Sequence, residues 1–458
     1  MFGSDTVPRR GAAMEDYREL ADEVAADIAA GRLRPGDRLP PQRDFARRRG
    51  IAGSTAARVY AELTRRGLTV GEVGRGTFVR ASARRPGTAL AEPSGTRIDL
   101  ELNYPVIPEQ AGLLADGIRP LLRPDVLEAS MRPVGAAGTP HAREAVADLL
   151  ARAGWRPDPA RVLFAGNGRQ AIAAVIAALV PPGARLGVEE LTYPVVKTIA
   201  ARLGVTLVPL PVDEAGLVPE AVEAAARKAP LRAVYLQPTL HNPLSLTMPV
   251  ERRAELAAVL ERLDVPAIED GIWSFLRHEA PPLAAVAPER TILVDSLSKR
   301  LAPGLTVGFA VVPEAVVPHV TAALHSGGSA PPRFALEAAV RLAGDGIVES
   351  LSRGKRRDAE ARQEIASRHL GEFAVRGDPR SYYCWWELPP PWRADTFVAA
   401  AARHGIAVTP AAAFAVGDNR TPNAVRLGLA SPPPETLARA LATLAGLARS
   451  SPDDLLAE

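Results

Sequence analysis

A lysine at position 299 stands just past Thr291-Ile292-Leu293-Val294, a four-residue apolar, β-branched run that reads as a buried strand. The chain continues as DSLSKRLAPGL over 295–305, with Ser296 and Ser298 flanking Lys299 and a Pro303-Gly304 break behind it. A lysine at the exit of a parallel strand, beside hydroxyls, is placed to condense with an aldehyde and to hold a phosphate. Those are the requirements of pyridoxal 5′-phosphate. A surface lysine after a strand would look the same in isolation, so neighbouring segments must decide.

From Ile98 onward strand-like and helix-like segments alternate, which predicts an α/β body with a mostly parallel sheet wrapped by helices. Ligands in such sheets bind at the carboxyl ends of strands. Val162-Leu163-Phe164 runs into AGNGRQAIAAVIAALV, a turn opening a helix, where the amides of Gly168, Arg169 and Gln170 would cradle a phosphate. Leu231–Leu236 runs into QPTLHNPLSLTM and puts Asn242-Pro243 past a strand end. Val265-Pro266-Ala267-Ile268 ends at Glu269-Asp270. An aspartate there would pair with a protonated pyridine nitrogen, and a helix cap is the plain alternative.

The first 80 residues read differently. Tyr17, Leu20, Ala21, Val24 and Ile28 give a first helix one apolar face. A turn around Pro35-Gly36, a short helix over 42–49, the turn Gly50-Ile51-Ala52 and a third helix over 54–66 follow. Ala56, Val59, Tyr60 and Leu63 would face inward, leaving Ser54, Thr55 and Arg58 outward where a recognition helix meets base edges. Residues 68–80, LTVGEVGRGTFVR, read as a hairpin wing tipped by Arg75. Residues 43–80 hold nine arginines against three acidic residues, a net +6 within a chain of net +3, so the remainder is acidic. Such a segment is an electrostatic footprint for phosphates.

At 458 residues the chain predicts a small domain and a large one. No apolar run reaches the 18 or so residues that span a bilayer, and the N-terminus lacks a signal-peptide stretch. The one cysteine, Cys384, excludes an intrachain disulfide framework and fits a cytoplasmic protein, and the seven histidines show no metal spacing. Residues 81–97 are small and polar without periodicity, and predict a flexible linker.

Residues 15–80, above all RLPPQRDFARRRGI and YAELTRRGLTVGEVGRGTFV, resemble the GntR family of bacterial regulators. The resemblance implies a winged helix-turn-helix (12–80) that contacts operator DNA through Arg43, Thr55, Arg58 and Arg75, with Gly53 where family members commonly carry Arg. Over 98–450, the succession G-x-G-x-Q, Y-P at 193, H-N-P at 241, E-D at 269, S-x-S-K at 296 and R-L-G at 426 resembles the aminotransferase class I, fold type I proteins. That implies an α/β domain with a smaller C-terminal α+β subdomain (about 330–450) and pyridoxal phosphate as cofactor. By resemblance Lys299 is the Schiff-base lysine, Asp270 the partner of the pyridine nitrogen, Asn242 the donor to the ring hydroxyl, and Tyr193 the aromatic stacked on the ring. Ser296 and Ser298 match neighbours of the phosphate or the lysine, and Arg426 resembles the arginine that grips a substrate carboxylate.

Head, linker and body together resemble the MocR-type regulators. The implied function is a pyridoxal-phosphate-dependent transcription regulator, a domain-swapped homodimer that senses an amino-acid-like effector or the cofactor itself. An active aminotransferase with a DNA-binding head and a regulator that has lost the cofactor are the alternatives. Two departures favour sensing over turnover, with at most residual half-transamination. Thr306 stands where the family usually has a phosphate-gripping Arg, for which Arg300 or Arg169 would have to compensate. Ile272 or Trp273 stands where the family has a Tyr that bonds the ring hydroxyl. The aromatics of SYYCWWELP further imply a narrow or reshaped effector pocket.

Overall fold

The computed structural model describes residues 12–30, 32–34, 36–66, 68–72, 76–79, 98–417 and 421–452. The linker expected at 81–97 and the wing-tip Arg75 lie outside these residues.

Three helices, Ala12–Ala29, Gln42–Arg49 and Gly53–Arg65, pack with an antiparallel hairpin of Thr69–Glu72 and Gly76–Val79. Their apolar faces meet in one core of Ala21, Val24, Phe45, Ala56, Val59, Tyr60, Leu63 and Val79. Phe45 and Tyr60 meet edge to face at 5.4 Å. Gly50, at φ 66°, ends the second helix in the left-handed conformation that suits glycine. The third helix starts one residue before the expected Ser54, at Gly53.

In the body a seven-stranded sheet has the order Val162–Ala165, Gly308–Val311, Thr291–Ser296, Ala267–Asp270, Ala233–Leu236, Arg185–Glu189, Thr206–Leu210. Only Gly308–Val311 runs against its neighbours, so the other six strands deliver their carboxyl ends to one edge. Both sheet faces are covered. Ile292 and Val294 enter a core with Val175, Ile176 and Val196, whereas Leu293 enters the opposite core with Phe309, Leu336 and Val340. Burial on both faces is why these strands read as continuous apolar runs.

A second, four-stranded sheet has the order Val375–Gly377, Tyr383–Glu387, Ala424–Gly428, Thr409–Pro410. Its core joins Trp386, Trp392 and Phe397 to Leu437, Leu441 and Leu444 of the helix Pro434–Arg449. The strand Ile98–Asp99 pairs with Ile406–Ala407 beside this sheet. Among the described residues no helix is long and apolar enough to cross a membrane, and no cluster of His, Cys, Asp and Glu is arranged to hold a metal.

Candidate cofactor and ligand site

The strand Thr291–Ser296 runs directly into the turn that carries Lys299, which is closed by Leu301 N–H donating to the Leu297 carbonyl at 2.7 Å. Along it the hydroxyls of Ser296, Ser298 and Thr306 form a chain with two spacings of 2.9 Å. Beside this chain lies the start of the helix Gly168–Leu179, where Asn167 accepts from Gln170 N–H at 3.0 Å. A Cβ added to Gly168 would stand 3.1 Å from the Ser296 hydroxyl, and one added to Gly308 would stand 2.3 Å from the Asn167 carbonyl. Glycine at both positions lets the strands and the helix start approach this closely. Helix-start amides beside a row of hydroxyls form a cradle suited to a phosphate.

The Lys299 amine donates to the Asn103 carbonyl at 2.5 Å, 4.8 Å from the centre of the Tyr104 ring and 5.3 Å from that of Trp273. Burial, then the charges of Arg169, Arg426 and Lys355, pushes its pKa down to about 7. A large share of the amine is therefore unprotonated and nucleophilic near neutral pH.

Asp270 accepts from the Tyr235 hydroxyl at 2.6 Å, the Gln237 side-chain amide at 2.9 Å and Ile272 N–H at 3.1 Å. Burial still outweighs these bonds and raises its pKa to about 6. Three donors on a carboxylate leave acceptor capacity for one more, the place a pyridinium N–H would take. Gln237 Oε1 accepts from the main-chain N–H of Asn242 at 3.3 Å, and Asn242 Oδ1 accepts from Arg426 Nη1 at 3.2 Å. With its oxygen so used, Asn242 is left with its amide N–H to offer a ring hydroxyl. Arg426 also donates to Thr409 Oγ1 at 3.3 Å and to the Glu101 carbonyl, and lies 5.2 Å from the Phe414 ring. Among the described residues its buried Nε finds no acceptor, so a carboxylate has a donor waiting. The Tyr193 hydroxyl accepts from Arg169 Nε at 3.3 Å.

The family model described as "Aminotransferase class I and II" matches residues 131–444, and that of the "Bacterial regulatory proteins, gntR family" matches residues 16–79. The uncharacterized HTH-type transcriptional regulator YdeF of Bacillus subtilis is 30% identical, over 91% of this chain and 90% of its own. The chain belongs to the MocR-type transcriptional regulators. The probable rhizopine catabolism regulatory protein MocR of Rhizobium meliloti is 27% identical over 80% of each chain. The kynurenine aminotransferase of Pyrococcus horikoshii shares the fold at a TM-score of 0.72 and 22% identity, covering 81% of this chain and 95% of that one. The cofactor of the regulator is pyridoxal 5′-phosphate, and the cradle, the Asp270 carboxylate with spare acceptor capacity and the deprotonating Lys299 fit it.

In this regulator the residues singled out from sequence (Lys299, Asp270, Asn242, Tyr193, Gly168, Arg169, Gln170, Ser296, Ser298 and Arg426) fall along one sheet edge and the adjoining small sheet. Arg300 cannot stand in for a phosphate-gripping arginine. Its guanidinium is buried in an ion pair with Asp295 at 2.8 Å. That leaves Arg169. Trp273 stands beside Lys299, in the region where a tyrosine was missing. The SYYCWWELP aromatics divide by strand alternation. Trp385 lies directly opposite Arg426 in the ladder and Tyr383 lies 6.0 Å from its guanidinium, while Cys384 and Trp386 face the core of the small sheet.

Sequence pattern did not mark Tyr235, Gln237, Asn103, Tyr104 or Lys355. Tyr235 sits inside a strand and reads as core, and Gln237 is an unremarked polar residue behind it. In the head, Arg43, Ser54 and Arg58 are exposed and Thr55 is half-buried. Arg47, Arg49 and Arg66 are instead engaged by Asp44, by Glu23 at 2.7 Å, and by Asp22 and Glu62.

Proposed function

We propose that the regulator senses a small amino carboxylate, or pyridoxal phosphate itself, at the Lys299 site and answers by changing how its heads hold operator DNA, acting in the cytoplasm as a homodimer. One observation carries this reading. Lys299 donates to the Asn103 carbonyl at 2.5 Å, and Arg426 donates to the Glu101 carbonyl. The two cations that a ligand must recruit thus both hold the same short stretch of main chain, and that stretch follows the 81–97 linker. When bound, pyridoxal phosphate supplies an aldehyde that condenses with an amine and a ring that withdraws electrons. Once Lys299 is so engaged it no longer donates to Asn103. An Arg426 turned to a carboxylate would release Glu101, so cofactor and effector would each act on one anchor of the stretch that follows the linker. Asp270 supports the reading by offering a carboxylate to the ring nitrogen, and Arg43, Ser54, Thr55 and Arg58 by presenting polar and cationic groups to DNA.

Support for the homodimer comes from exposed apolar side chains. Among the described residues the three most exposed large ones, Val106, Leu122 and Met131, all fall between residues 104 and 131, immediately after Tyr104 of the site. A two-fold dimer would present two heads to a repeated operator.

The test is operator affinity of wild type and Lys299→Ala at one salt concentration, without additions, with pyridoxal phosphate, and with pyridoxal phosphate plus each common amino acid. Coupling of about 5–150-fold is expected for wild type in at least one condition, and none for the variant. Operator affinity that is the same in every condition would leave a DNA-binding protein with a silent cofactor domain.

A further inference from the structure

Only four of the chain's 55 basic side chains are lysine, at 197, 228, 299 and 355. Two of these four meet at the site. Lys355 lies on the helix Ile347–Leu370 and is fully buried, at 0% exposure. Its amine donates to the main-chain carbonyl of Lys299 at 2.9 Å and to that of Leu301 at 2.7 Å. We propose that Lys355 is a positioning residue for Lys299, its amine fastening the turn from which the condensing amine projects. The inference rests on the reading of Lys299 as the amine that meets the cofactor's aldehyde.

The carboxylate nearest in sequence on the same helix is otherwise occupied. Asp358 accepts from Arg362 at 2.8 Å, and the Tyr382 hydroxyl shares its one proton between Asp358 at 2.9 Å and the Lys355 carbonyl at 2.8 Å. Glu109 lies against the preceding residue, Gly354, while its neighbour Gln110 donates to the Leu301 carbonyl at 3.1 Å. Lys355 is thus hydrogen-bonded to neutral carbonyls, and burial pushes its pKa down to about 7 against the opposing charge of Asp358. Beyond the turn stand Lys299, Arg169 and Arg426, and Lys355 is one of the charges that holds Lys299 down. Charges on the two amines repel, so a proton on Lys355 disfavours one on Lys299. Arginine would serve worse there. Its guanidinium is wider and keeps its charge when buried, whereas a lysine can give up its proton.

The test labels lysines in the cofactor-free protein with limiting acetic anhydride across neutral to alkaline pH, and reads each lysine by peptide mass spectrometry. Exposed Lys228 is the internal reference. In wild type, Lys299 should acquire reactivity well below the pH at which Lys228 does. In Lys355→Met its midpoint should rise by a resolvable fraction of a pH unit, because Lys355 contributes less than burial, Arg169 and Arg426 to holding Lys299 down. Lys355→Arg, which keeps a charge, should leave the midpoint low, and Lys228 should stay put in every protein. A Lys355 that merely fills the core would alter melting temperature without moving the Lys299 midpoint. The proposal fails if Lys299 and Lys228 titrate together in wild type, a comparison that needs no variant to fold. It fails equally if the methionine variant leaves Lys299 unmoved, or if the arginine and methionine variants move it alike. None of these readings involves cofactor, effector or DNA, so failure here is distinct from failure of the sensor reading.

Discussion

Replacing Gly308 by alanine isolates the cradle from everything else in the site. The added Cβ would lie 2.3 Å from both the carbonyl carbon and oxygen of Asn167 and 2.8 Å from the amide nitrogen of Gly168. All three are main-chain atoms, so no rotamer change relieves the contact. Nor can the strand retreat easily, because Gly308 is held between Ser296 on one side and Ala165 on the other. Ordinary Cβ contacts begin near 3.4 Å, so the Asn167–Gly168 turn must withdraw by roughly 1 Å. Overpacking of this kind costs about 1–3 kcal/mol in stability. The larger effect falls on the cofactor. A shift of that size breaks an amide–phosphate hydrogen bond, and each such charge-assisted bond contributes about 1.5–3 kcal/mol, or roughly ten- to hundredfold in affinity. Titration of pyridoxal phosphate into the cofactor-free variant, followed by visible absorption, should show that loss beside a modestly lowered melting temperature. Gly304→Ala is the control, since a Cβ there meets nothing within 4 Å, and it should bind as wild type does. Wild-type cofactor affinity in Gly308→Ala would show that the helix start beside Ser296 does not hold the phosphate.

Arg426→Ala should keep the cofactor but weaken an amino carboxylate by about 10–100-fold, measured by calorimetric titration into the loaded protein; unchanged affinity would remove the carboxylate from the ligand. In the cofactor-free protein, Lys355 sheds its proton near pH 7 when folded but only near 10.4 when unfolded. Between those values the unfolded chain binds more protons, so wild type should gain up to about 1.4 kcal/mol per pH unit relative to Lys355→Met. Calorimetric melts from neutral to alkaline pH check this, and parallel pH curves for the two proteins would refute it. Asp270 works in the opposite sense at lower pH, because its raised pKa of about 6 makes stability fall as pH climbs from about 4 towards 6.

The carboxyl ends of parallel strands share one edge, which is why a one-dimensional reading could assemble Lys299, Asp270 and Asn242. Each sits where an apolar run stops, and the sheet does the rest. The head was legible for a related reason. Ala56, Val59, Tyr60 and Leu63 repeat at helical spacing and are all buried. Contacts between segments of unlike period carried no such signal. Nothing in the coil Glu101-Leu102-Asn103 announces that its carbonyls receive hydrogen bonds from residues at 299 and 426. The aromatics after Ser381 show the same limit within a single strand. Whether Tyr383 and Trp385 or Cys384 and Trp386 face Arg426 depends on register against Ala424–Gly428, which the run of rings does not reveal.

Lys355 was hidden by its surroundings. It lies in SRGKRRDAEARQE, a stretch so charged that it reads as a solvated helix face, yet Lys355 and Arg362 are both buried. Their burial is possible because each reaches main-chain carbonyls, Lys355 those of Lys299 and Leu301, Arg362 those of Leu429 and Pro432. The mark that survives in the sequence is compositional. In a chain that writes nearly all its cations as arginine, three of the four lysines donate to main-chain carbonyls. Lys299 donates to the Asn103 carbonyl, Lys355 fastens the Lys299 turn, and Lys197 donates to the carbonyls of Ala413 and Ala415 at 3.0 and 2.7 Å. An ammonium, unlike a guanidinium, can lose its proton once buried. In a sequence this rich in arginine, the rare lysines are therefore the first positions to examine for chemistry.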